Sequence, residues 1–309
     1  MTAINAMKFN ENEGGMVTDS QSSSTMRKYD FADKVIPIKS NGTYALTGGS
    51  GHADLLYEAT SALAKHFANE VTEGKTYTVS DIAEALSGIA TGMKRNMIDL
   101  CLKSKFGIDT STAISGQGVG PHLIAEIKEA LTASVQSMAE RFNNGFIVIG
   151  KDSEGVSLYQ VWMGHLPNKI PQPYWAIGSG SDESDKVLCS FVKDQSREGR
   201  KNISLVPGMA ALIRATNAAS EINPGVGGTP TISYFDQKGI VILGEEESKL
   251  ATELIKIGDA RLTSTFAAER GLEALLRKTG SVDEVEREIF KHTPLLYDKI
   301  MRFLRGYRG

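Results

Sequence analysis

Thr2 has the simplest route to chemistry in this chain. If Met1 is removed, a single residue carries a nucleophilic hydroxyl and a free α-amine. A threonine hydroxyl is a poor nucleophile alone, and an adjacent amine with a pKa of about 7.7 to 8.0 can act as its base. Because Thr2 is small, a methionine aminopeptidase would suffice to expose it, without autocatalytic cleavage. Other reactive types are sparse. Cys101 and Cys189 are the two cysteines, and their apolar surroundings read as those of small buried hydrophobes, not of a disulfide framework. The run Ser115-Gly116-Gln117-Gly118-Val119-Gly120-Pro121 is rich in glycine. No Lys-Ser or Lys-Thr follows it and no clear strand precedes it, so it lacks the parts of a phosphate loop.

Composition narrows the partners. The 309 residues are 41% hydrophobic and 23% charged, as in an ordinary globular protein with a large core. A net charge of -3 argues against a general nucleic-acid binder. No apolar run approaches the roughly 20 residues of a membrane span, and the first residues lack the pattern of a secretory signal. The expectation is a cytoplasmic protein that needs neither membrane nor nucleic acid, and no metal or cofactor motif stands out.

The elements that must position Thr2 alternate between strands and helices. Residues 3 to 9 and 16 to 19 read as a hairpin around Asn10 to Gly15, and residues 34 to 38 and 43 to 47 as a second. Together they are expected to make one antiparallel layer that ends at Gly48-Gly49-Ser50-Gly51. A helix follows with Leu55, Ala59, Leu63 and Phe67 on one face, then a second with Ile82, Leu86, Ile89, Met93 and Met97, for which Ser80 is the expected N-cap. A long helix carries Leu123, Ile127, Leu131, Val135 and Met138. Strands return at 145 to 150, 156 to 163 and 174 to 178, and Gly178-Ser179-Gly180-Ser181 opens another helix. A further helix around 209 to 220 precedes a last hairpin, 231 to 235 with 239 to 243, and the rest reads as helical. Hairpins throughout imply antiparallel sheets covered by helices, an α+β fold.

Several of these residues resemble a known family. The Thr2 strand, Thr18-Asp19-Ser20, Asp33-Lys34-Val35 with Ile36 and Ile38, and Leu46-Thr47-Gly48-Gly49 are similar to the catalytic β-subunits of the proteasome. These are N-terminal nucleophile hydrolases with a four-layer αββα sandwich. The likeness extends loosely to Gly178-Ser179-Gly180-Ser181 and to Gly227-Gly228. It implies residues 1 to 248 as the hydrolase domain, with a helical insertion near 105 to 141 and a C-terminal helical extension from 249 to 309. It further implies Thr2 as nucleophile, Lys34 as the charge that favours its deprotonation, Asp19 as the partner of Lys34, Gly48 as an oxyanion donor and Ser181 near the Thr2 amine.

The chain departs from the family at three places. Asn223 stands at the position of an aspartate that normally assists the amine, Val226 at that of a serine, and Gln21 at that of an arginine. Asn223 can hydrogen-bond but brings no charge, and the Val226 side chain cannot hydrogen-bond at all. The resemblance implies a peptide or other amide substrate, resolved by water or by an amine. It also implies homo-oligomers, with ring formation as in the family. A non-catalytic assembly subunit on the same fold is the alternative, favoured by Asn223 and Val226. The tail residues Leu295, Leu296, Ile300, Met301 and Leu304 read as one helix face that packs on its own subunit or on another copy.

Overall fold

The computed structural model describes residues 2–23, 28–29, 34–71, 75–116, 119–137, 139–277 and 282–292. Strands are β1 (Ile4–Lys8), β2 (Gly14–Thr18), the two-residue β3 (Ser22–Ser23) and β4 (Lys28–Tyr29), β5 (Val35–Ser40), β6 (Thr43–Ser50), β7 (Gly145–Asp152), β8 (Gly155–Trp162), β9 (Asn168–Lys169), β10 (Tyr174–Ile177), β11 (Thr231–Asp236) and β12 (Gly239–Ile242). Helices are α1 (Ala53–Val71), α2 (Val79–Phe106), α3 (Thr110–Ser115), α4 (Pro121–Ser137), α5 (Ala139–Phe142), α6 (Ser181–Asp194), α7 (Leu205–Ile222), α8 (Glu245–Asp259), α9 (Thr265–Arg277) and α10 (Val282–His292). No described helix is long and apolar enough to cross a membrane.

Two five-stranded antiparallel sheets, β10-β1-β2-β11-β12 and β5-β6-β7-β8-β9, lie between helices. Three cores define the four layers. One joins α1 and α2 to the second sheet through Leu63, Phe67, Leu86 and Phe146. Another fills the space between the sheets with Ile4, Met16, Leu46, Ile149 and Phe235. The third packs α6 to α10 on the first sheet through Met7, Val17, Leu212, Leu254 and Leu272. The αββα sandwich expected from the sequence is therefore present.

β1 sits within these layers and is buried on both faces. Its side chains alternate: Ile4 and Ala6 enter the core between the sheets, while Met7 faces the helices and Asn5 Nδ2 donates to Thr216 Oγ1 of α7 at 2.9 Å. The expected single layer over the first fifty residues is corrected. β1 and β2 belong to one sheet and β5 and β6 to the other, because β2 takes β11 as its second neighbour and β6 takes β7. β6 also runs through Gly48 and Gly49 to Ser50 instead of ending before them. The cap of α2 is Thr78, not Ser80: the Thr78 hydroxyl accepts from Asp81 N at 3.2 Å, and Asp81 Oδ2 accepts from Thr78 N at 2.8 Å. Cys101 and Cys189 form no disulfide and are only half-buried, so neither is the buried hydrophobe that the sequence suggested. The tail residues from Leu295 on, Met138, and Gln117 with Gly118 of the glycine-rich run lie outside the described residues.

Candidate active site

Thr2 and Ala3 continue β1 toward one end of the sandwich. Asp19 N donates to Ala3 O and Gly180 N to Thr2 O, each at 3.1 Å, so backbone from the end of β2 and from the start of α6 fixes this entry into the strand. Thr2 is 7% exposed.

Lys34, the residue before β5, reaches this point from the opposite sheet. Its Nζ donates to Thr2 Oγ1 at 3.2 Å, to Asp19 Oδ1 at 2.7 Å and to the Gln21 carbonyl at 2.6 Å. An ammonium has three protons, and these acceptors use all three, so the geometry is that of a charged lysine. Burial pushes the Lys34 pKa below its ordinary value, and the neighbouring Asp19 opposes that shift. Burial likewise raises the Asp19 carboxyl, against the pull of Lys34 and two backbone donors.

Asp19, 1% exposed at its side chain, is gripped from two further directions. Its Oδ1 accepts from Ala3 N at 2.9 Å, and its Oδ2 accepts from Gly227 N at 3.4 Å. The Gly227 carbonyl in turn accepts from Ser20 N and Gln21 N at 3.2 and 2.9 Å. One glycine residue thus pins both the carboxylate and the turn whose carbonyl binds Lys34.

The other expected residues take distinct places. The Thr2 nitrogen donates to Ser179 Oγ at 3.1 Å. Ser181, two residues on, begins α6, donates its own N–H to the Gly178 carbonyl and lines the cavity beside Thr2. Asn223 is the C-cap of α7 and lies one step from Thr2: its Nδ2 donates to the Ser179 carbonyl at 3.0 Å and its Oδ1 accepts from Gly225 N at 3.1 Å. Val226, 3% exposed, packs on Ala3 and Ala219. Gly48 lies in β6 between Val35 and Ile147, close to Lys34, whose carbonyl would be 3.3 Å from a Cβ placed there.

Sequence reasoning passed over two residues. Ser179 stands in the same short run as Ser181, and only the path of the turn separates their roles. Gly178 has φ of 101°, and a Cβ there would collide with the Thr2 carbonyl, so glycine is needed on both counts. Beside these groups lies a cavity of about 550 Å³ lined by Thr2, Ser50, Gly51, Gln160, Trp162 and Ser179 among others. It is large enough to admit one or two amino-acid side chains.

No family model and no curated protein matches the sequence. Among solved structures, a Gly-1 mutant of Anbu from Hyphomicrobium sp. strain MC1 is similar, with a TM-score of 0.53 and 11% identity over 79% of this chain and 85% of that one. The chain shares the fold of that structure. The likeness concerns the fold alone, and the side-chain geometry at Thr2 has to be weighed for itself.

Proposed function

We propose that this protein is a threonine-type N-terminal nucleophile hydrolase acting on peptide or other amide bonds. The observation that carries this reading is the approach of Lys34 Nζ to Thr2 Oγ1 at 3.2 Å, in a buried setting where Asp19 also binds the ammonium. With Lys34 charged, the hydroxyl proton passes to the Thr2 amine once Met1 is gone, and the ammonium stabilises the developing alkoxide. The Thr2 oxygen bonds to the substrate carbonyl carbon and the amide C–N bond breaks. The proton held by the amine goes to the leaving nitrogen, and water then hydrolyses the ester. An amine in place of water would make the same site a transferase. Gly48 N–H is the proposed oxyanion donor, a group whose loss costs about 2.7 to 4 kcal/mol in such reactions. Ser179 and Asn223 orient the Thr2 nitrogen, and the protein assembles with copies of itself.

A second reading, a non-catalytic assembly subunit, is favoured by the buried Val226 and by Asn223, whose amide is committed to Ser179 and Gly225. A β-lactone or epoxyketone separates the two. A covalent adduct on Thr2 that is lost in Thr2→Ala supports the hydrolase. A processed N-terminus without an adduct supports the scaffold, and intact mass showing Met1 retained overturns the hydrolase reading.

A further inference from the structure

The protein has two tryptophans, and both indole N–H groups converge on one side chain beside Thr2. With its amide oxygen turned toward them, Gln160 accepts from Trp162 Nε1 at 2.9 Å and from Trp175 Nε1 at 3.2 Å. The opposite orientation would set an NH₂ group against two donors, so the oxygen belongs here. Gln160 and Trp162 are two apart on β8 and share the face toward the other sheet, from which Trp175 of β10 approaches. Trp162 is held on a second side as well. It pairs directly across the strands with Gly145, and a Cβ at Gly145 would lie 2.7 Å from Cζ3 of the indole, so the ring rests flat on glycine backbone.

An indole clamped in this way and still 37% exposed is a rigid apolar surface presented to solvent. Such surfaces lose little conformational entropy on contact and dominate binding where they occur. Trp162 also has neighbours on both sides. The cavity at Thr2 and an apolar cleft of about 650 Å³, lined by Val135, Phe142 and Met163, share Trp162 and Asn143 as a common border.

We infer that Gln160 is a positioning residue that sets Trp162 as the specificity wall of the site, and that the substrate is a peptide-like amide with a large apolar side chain close to the scissile bond. That side chain lies against the Trp162 ring and extends toward the cleft. The inference rests on the hydrolase reading for the word substrate, while the contact itself is testable by binding alone.

The test uses Thr2→Ala chain and N-acetyl tetrapeptide amides in which phenylalanine or alanine occupies each position in turn, with affinity read by calorimetry. A phenylalanine peptide is expected to bind roughly tenfold better than its alanine counterpart, the size of effect a single apolar contact supplies. Trp162→Ala abolishes that ratio and leaves the alanine peptides within about twofold. Gln160→Leu and Gly145→Ala reduce the ratio, and Gln160→Glu, which keeps an acceptor, restores it. A far-ultraviolet circular dichroism spectrum matching that of the parent chain accompanies each variant. An unchanged ratio in Trp162→Ala, or the absence of binding by every peptide, overturns the inference. Lactone labelling of Thr2 without any phenylalanine preference would overturn it too, and would leave the hydrolase reading standing.

Discussion

At the scale of single residues, the proposed reaction depends on a buried ion pair, Lys34 with Asp19, whose burial weighs against stability. Removing one partner strands the other charge in the interior, so Lys34→Met alone is expected to cost about 3 to 5 kcal/mol in chemical denaturation. Replacing both, Lys34→Met with Asp19→Leu, is expected to leave stability equal or higher while lactone labelling of Thr2 falls by about 10² to 10⁴. Coincident recovery of labelling in the double variant would refute the role of the pair. The pH dependence has a definite sign. Burial lowers the Lys34 pKa and Asp19 opposes it. In Asp19→Asn the burial acts unopposed, Lys34 loses its proton at a lower pH, and the alkaline limb of Thr2 labelling moves down the pH scale. A pH profile of labelling rate against the parent chain checks this. For folding, a lysine with a lowered pKa penalises the native state below that value, and a carboxyl with a raised pKa penalises it above, so the charged pair weighs on stability across the neutral range.

At the scale of elements, the turn from β10 into α6 is held to Thr2 by close backbone contact. Gly178→Ala is expected to cost at least about 1 to 3 kcal/mol through its positive φ, with further loss from the collision with the Thr2 carbonyl. Thr78→Ala, by contrast, opens only the capping box of α2 and should cost about 1 kcal/mol without touching labelling; thermal melts of the two variants distinguish them. These elements also mark what a sequence can reveal. The stripe Leu55, Ala59, Leu63 and Phe67 is legible because helical periodicity is local, and all four are buried in one core. Hairpin strands were legible for the same reason. Their division between two sheets was not, since β2 meets β11 across more than two hundred residues, as Thr18↔Thr231 shows. At the site, Thr2, Asp19 and Lys34 could be named together only through resemblance to a family. Ser179 and Ser181 differ by two positions in a glycine-rich turn whose path no periodicity dictates. Gln160, Trp162 and Trp175 are each ordinary strand residues, and their convergence exists only in three dimensions.

At the scale of the molecule, the core between the sheets joins Lys34 to Thr2 by holding the two sheets in register. Truncating a central side chain there, as in Phe235→Ala, is expected to cost about 3 to 5 kcal/mol and to weaken Thr2 labelling though the residue touches neither group. Labelling that survives intact in a folded Phe235→Ala chain would show that the sheets are held together elsewhere. Native mass spectrometry of the parent chain tests the proposed self-assembly, and a strict monomer at micromolar concentration would remove it. One further consequence follows from β1 being an interior strand, hydrogen-bonded to β2 and, with Ile4 opposite Ile177, to β10. During synthesis β1 cannot close its second edge until some 173 residues later have emerged, the separation of 177 and 4, which takes roughly 9 to 35 s at about 5 to 20 residues per second.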